Sequence, residues 1–133
     1  MKVINCTPHT IRIYSEKDTS YDEYARKRVL VNKNAKPLVE IPPSGIVLSV
    51  LKRVKQVDCL DGIPICEFEP ELTDNLLDLI KVEEDNLFIV STIFALACQR
   101  KGLEIFRGKL LTVGSPVYLG GRPVGCLNLI KTY

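Results

Sequence analysis

The chain has 133 residues, 46% of them hydrophobic and 26% charged, a size and balance that predict one soluble domain spanning 1–133 and burying roughly two-thirds of its unfolded surface. Eighteen basic against sixteen acidic residues leave a net charge of only +2, which removes DNA binding as the leading reading and confines any anion site to a local cluster. Neither a signal peptide nor an uncharged apolar run of spanning length is evident, so the chain reads as cytoplasmic, with no membrane partner.

In chain order, Val3 to Asn5 and Ile11 to Tyr14 read as short strands joined by Cys6-Thr-Pro-His-Thr10. Pro8 lacks a donor and pushes Thr7 toward extended backbone, so this is a tight connection, with His9 expected to hold it through a hydrogen bond. Ser15 to Arg28 is polar, charged and without period, which predicts an exposed loop or frayed helix. Val29 to Val31 is a short strand, and Ile41-Pro-Pro-Ser-Gly45 a turn. The β-branched run from Ile46 to Leu60, the Asp61-Gly62 dipeptide and Ile63 to Phe68 carry the strongest hairpin signal in the chain. A short helical turn capped near Thr73 or Asp74 follows, then a turn at Glu83 to Asn86.

Leu87 to Ser91 is apolar enough for a fully buried strand, and it runs into the one well-signalled helix, about residues 92–101. There Ile93, Leu96 and Ala97 fall on one face, and Gly102 stops the helix. Two or three strands complete the tail, with Gly120-Gly121 turning a hairpin. The fold class is therefore α+β, mainly antiparallel strands with one main helix.

The five cysteines form no CxxC pair and sit among apolar residues, so they read as buried free thiols, and a single histidine cannot complete a His-rich metal site. A cysteine nucleophile would need His9 as its base, with Cys6 the near candidate. The chain has no P-loop, dinucleotide fingerprint, HExxH or GxSxG motif. Asp22-Glu23 and Glu83-Glu84-Asp85 lie in polar stretches, where solvated carboxylates keep ordinary acidity. No catalytic residue, cofactor or metal is assigned.

Clustered cations are more informative. Arg26, Lys27 and Arg28 close the first polar stretch, Lys52, Arg53 and Lys55 occupy the long strand, and Arg100, Arg107 and Arg122 follow the strand–helix unit. Arginine forks suit phosphates, and Phe88, Tyr118 or Tyr24 could stack on a base, although each residue taken alone fits an ordinary surface or core position.

The segments INCTPHTIRI, IPPSG, DGIPI, LFIVSTIFALA and RPVGCLNLI occur in the order found in a family of small phage and prophage proteins with an INLTPHxI opening, a Pro-Ser-Gly turn, a YIVSxxVAxA strand–helix and a terminal Gly-x-x-x-Gly-Cys. Over nearly its whole length the chain resembles this family, identified as the one containing the Thoeris anti-defence proteins. The resemblance implies a protein that captures cyclic ADP-ribose-type signalling nucleotides, and in some members cyclic oligonucleotides, without cleaving them, so that a host immune effector stays inactive in the infected bacterium. It also implies homo-oligomers, dimers or hexamers, and no enzyme activity. Phe88, at the aromatic position of the YIVS pattern, becomes the stacking candidate, with Gln99 and Arg100 reaching base edges or phosphate. The family's tail Pro-Val-Arg-Asp is here Pro116-Val117-Tyr118-Leu119, so Arg107 or Arg122 would replace that arginine and Tyr118 would stack. Arg26 and Arg28 would serve a site shared between subunits. Two other classes stay open: a small nucleotide-processing enzyme, and a regulatory or structural phage protein that binds a protein partner.

Overall fold

A computed structural model describes residues 2–72 and 85–133. Its strands are β1 Lys2–Asn5, β2 Ile11–Ile13, β3 Thr19–Asp22, β4 Lys27–Leu30, β5 Val39–Ile41, β6 Val50–Leu60, β7 Ile63–Leu72, β8 Asn86–Ile89, β9 Leu110–Leu119 and β10 Arg122–Thr132, with one α-helix, α1, Thr92–Lys101. The protein is α+β. Eight of these strands form one sheet whose main path runs β1-β8-β9-β10-β2-β5, with the β3–β4 hairpin joined through β4 to β9; β6 and β7 form a separate two-stranded arm. The long ladders, β9 with β10 and β6 with β7, are antiparallel, whereas the parallel contacts of β1 with β8, β8 with β9, β4 with β9 and β10 with β2 are short.

Five residues separate β1 from β2, yet the sheet path places three strands between them, so the sheet curls until its two ends meet. Asn5 makes that closure. Its Nδ2 donates to the carbonyls of His9 at 2.8 Å and Ile41 at 3.0 Å, and its Oδ1 accepts from the Thr7 amide at 3.0 Å and the Thr7 hydroxyl at 2.6 Å. Two donors and two acceptor positions exhaust the hydrogen-bonding capacity of an amide side chain, as a buried group requires. The Asn5 carbonyl accepts from the Ser44 amide as well, which ties the Pro-Ser-Gly turn to the same point. The expectation that His9 pins this connection is thus corrected: His9 contributes its backbone carbonyl, while its side chain is exposed.

The apolar run of β8 is buried on both faces. Phe88 and Val90 face α1, joining Phe94, Cys98, Phe106 and Leu110, while Ile89 meets Ile11, Leu111 and Cys126 inside the curl. A strand covered on both sides needs no polar alternation, which explains the continuous Leu-Phe-Ile-Val. Gly125 permits the approach of β2 to β10, because a Cβ there would lie 2.5 Å from the Arg12 carbonyl oxygen.

Helix α1 follows its sequence signals closely. The Ser91 hydroxyl accepts from the Phe94 amide, and Gly102, at φ 64°, ends the helix in the left-handed region with Leu103 donating back to the Cys98 carbonyl. The buried stripe is Phe94, Ala95, Ala97 and Cys98 rather than Ile93, Leu96 and Ala97, and Leu96 points outward. Both dipeptide hairpins form: Asp61 and Gly62, then Gly120 and Gly121, all have positive φ, as type I′ turns demand.

The larger departure is at Ser15 to Arg28. Instead of a loop, it holds a 3-10 turn at Glu16–Asp18 and the β3–β4 hairpin, reversed by Asp22 Oδ1 accepting from the Tyr24 and Ala25 amides. The helical turn expected near Thr73 lies outside the described residues, as does the first half, Glu83 and Glu84, of the Glu83–Asn86 turn. Among the described residues, no helix is long and apolar enough to cross a membrane.

Replacing Asn5 by alanine orphans the Thr7 groups and two carbonyls, and should lower unfolding free energy by about 2–4 kcal/mol, read as an earlier urea midpoint. Asn5→Asp should be worse at neutral pH, since it turns a donor into a charged acceptor facing carbonyl oxygens.

Candidate functional site

Where α1 ends, the chain builds a cleft of about 330 Å³ lined by Gln99, Gly102, Arg107 and Tyr133. Gly102 halts the helix and a 3-10 turn, Glu104–Phe106, follows. That turn is anchored by Phe106, which is fully buried and meets the rings of Phe88 at 6.1 Å and Phe94 at 6.0 Å edge-on. Arg107 therefore leaves the turn from a fixed base. Its guanidinium lies 5.8 Å from the Tyr133 ring centroid, and its Nε is 3.2 Å from a Glu104 carboxylate oxygen. Tyr133 is itself held because its carbonyl accepts from the Gly108 amide. The Glu104 pair is exposed on both sides and adds little energy, so the Tyr133 ring face is what orients the guanidinium.

Gln99 and Arg107 are thus brought together as candidate ligand contacts, with Tyr133, which the sequence did not single out, supplying the aromatic face. Phe88 is not available as a stacking platform. It is 1% exposed and its ring meets Phe106 edge-on, so no face is open to a base. Arg100 points into a different cleft of about 360 Å³, where Ala97 and Lys101 of α1 oppose Glu67, Phe68, Glu69 and Pro70 of the arm.

The other four candidates lie at the opposite end of β10. Arg122 begins that strand and Tyr133 follows its last residue, so the two are separated by a strand length on the order of 30 Å. There the Lys27 ammonium sits 4.8 Å over the Tyr118 ring, Arg28 donates to the Thr19 hydroxyl, and Arg26 occupies the left-handed position in the β3–β4 turn. A single nucleotide cannot span both ends, so the expected residues do not form one site within a chain. Between them, on the side of β2, lies a third cleft of about 340 Å³ lined by His9, Arg12 and the Pro123–Gly125 bend among others. Arg12 was legible only as the polar member of the alternating Ile11-Arg12-Ile13, and it pairs with Glu40 at 3.5 Å on the exposed face, a contact of small energy.

The thiols divide by environment. Cys6, Cys98 and Cys126 are buried, whereas Cys59 and Cys66 are exposed on the arm, contrary to the expectation that all five are buried. Burial raises the Cys6 pKa, opposed by a hydrogen bond with Ser44, and pushes Cys98 up to about 11. A thiol in such a setting resists becoming the thiolate that nucleophilic attack needs. Among the described residues no three His, Cys, Asp or Glu side chains are grouped to hold a metal ion. Comparison of the chain with protein families, curated proteins and solved structures gives no match.

Three outcomes follow from these placements. Phe88→Ala should lower stability by about 3–5 kcal/mol through loss of a core ring, measured by chemical denaturation. Because burial keeps the Cys98 thiol neutral up to about 11, while the unfolded thiol ionises near 9.0, stability should be unaffected by this group below 9.0 and fall as pH rises from there toward 11. Alkylation at pH 8 followed by mass spectrometry should accordingly leave Cys6, Cys98 and Cys126 unmodified until the protein is unfolded.

Proposed function

We propose that this chain binds and holds a cyclic ADP-ribose-type nucleotide without cleaving it, in the cytoplasm of an infected bacterium, and thereby keeps the signal from a host immune effector. The observation that carries the reading is the cleft at the end of α1, where Gln99, Arg107 and Tyr133 converge. Each supplies what such a ligand presents a need for. The guanidinium matches pyrophosphate oxygens, the amide can donate to and accept from a base edge, and the phenol ring offers an apolar face for adenine. The cleft is open and its volume lies at the lower end of small-molecule sites, so a compact, doubly charged ligand suits it better than an extended one.

The test is to incubate the purified protein with cyclic ADP-ribose isomers, remove protein by ultrafiltration, and follow free nucleotide before and after heat denaturation. Depletion followed by release of intact nucleotide is expected. Arg107→Ala should weaken capture at least tenfold, about 1.4 kcal/mol, while Arg122→Ala, a strand length away, should leave it unchanged. Release of an altered nucleotide would make the protein an enzyme, and no depletion by any isomer would overturn the reading in favour of a protein partner.

A further inference from the structure

The fold sorts its thiols into two groups. Cys6, Cys98 and Cys126 are buried in the body, whereas Cys59 and Cys66 are exposed, and both of these stand on the β6–β7 arm. The strand register fixes how the two exposed thiols relate. Gln56 pairs with Cys66 and Cys59 with Pro64, and on β7 Pro64 and Cys66 are two positions apart, so Cys59 and Cys66 project from the same face as diagonal neighbours. Diagonal Cα atoms in such a ladder lie roughly 7–8 Å apart, with their β-carbons somewhat nearer. The register shifts between Gln56 and Asp58, so the two thiols flank an interruption of the ladder, where a bulge adds local twist.

A diagonal pair is too widely spaced for a direct disulfide, whose β-carbons approach to about 3.5–4.5 Å. A single atom placed between the sulfurs closes the gap without moving the strands. The donor set decides which atom. Among the described residues no third His, Cys, Asp or Glu joins the pair, so the four-ligand shell that zinc takes is not assembled. Two thiolates are enough for Cu(I), a soft monovalent ion that accepts two sulfurs in a line. We propose that Cys59 and Cys66 form a dithiol site for Cu(I), which binds one ion across the two strands of the arm. Binding replaces two S–H bonds by two S–Cu bonds and releases both protons to solvent, and the metal stays Cu(I) throughout. The arm has use for such a clip. A two-stranded hairpin is marginal in water on its own, and from Arg53 to Glu69 every residue with a described side chain is exposed. The ion would cross-link the strands beside the interruption in their ladder. The site stands apart from the nucleotide reading, since neither thiol belongs to the cleft of Gln99, Arg107 and Tyr133.

The test equilibrates the reduced, full-length protein, without oxygen, against the coloured complex of Cu(I) with bicinchoninate. The wild-type chain should withdraw one copper ion per chain, read as loss of colour. Cys59→Ser and Cys66→Ser should each weaken binding by about a hundredfold or more, because one of only two ligands is gone. Should either variant fail to fold by circular dichroism, the wild-type protein still decides: saturating Cu(I) should protect Cys59 and Cys66 together from alkylation, and should slow tryptic cleavage after Arg53 and Lys55 by holding the strands closed. Full affinity retained in either serine variant, one ion shared between two chains, or alkylation and cleavage indifferent to copper would each overturn the proposal.

Discussion

The buried amide of Asn5 is the constraint on which the remaining structure depends. It joins the end of β1, the Thr-Pro-His connection and the end of β5 with four hydrogen bonds, where the curled sheet meets itself. Only an asparagine or a glutamine offers two donors and two acceptors from one planar group, and glutamine would need an extra methylene in a site 1% exposed. Once that corner is fixed, β2 is delivered to β10 and β5 to β2, and the apolar residues of five strands converge inside the curl.

The outer face of the same sheet explains where ligand chemistry can occur. Phe88, Phe94 and Phe106 fill the space between sheet and helix, which makes the α1 side rigid up to Gly102. Past it, Arg107 projects outward between the buried Phe106 and Leu110 and lies beside the ring of Tyr133, over a solid base. The division is general: rings that pack cannot also stack on a ligand, so a binding surface is recruited from the first residues after the packing ends.

How much was legible from the residues follows from the range of each signal. Ser91 and Gly102 act within a turn of the helix, and the Asp-Gly and Gly-Gly pairs within a hairpin, so those elements were readable. Strand β4 depends on parallel pairing of Arg28 with Val117, nearly ninety positions away, and nothing local in a charged stretch announces that. The apolar run Leu-Phe-Ile-Val does read as a fully buried strand, and Phe88 became a stacking candidate only through its ring and its place in the YIVS pattern, which its 1% exposure overrides. Tyr118 has the right chemistry, but β4 brings the Lys27 ammonium over its ring. Cysteines read as buried from their neighbours proved exposed where the neighbours themselves stand on the arm.

The pairing of Lys2 with Asn86 and of Ile13 with Cys126 has a consequence for the chain as it leaves the ribosome. Strand β1 has no partner until β8, more than eighty residues later, has been synthesised, and β2 waits more than a hundred residues for β10. The arm, by contrast, is wholly local and can close within microseconds of its emergence. Synthesis thus presents an arm before there is a body, and the main sheet is completed late, once β8 to β10 have been made.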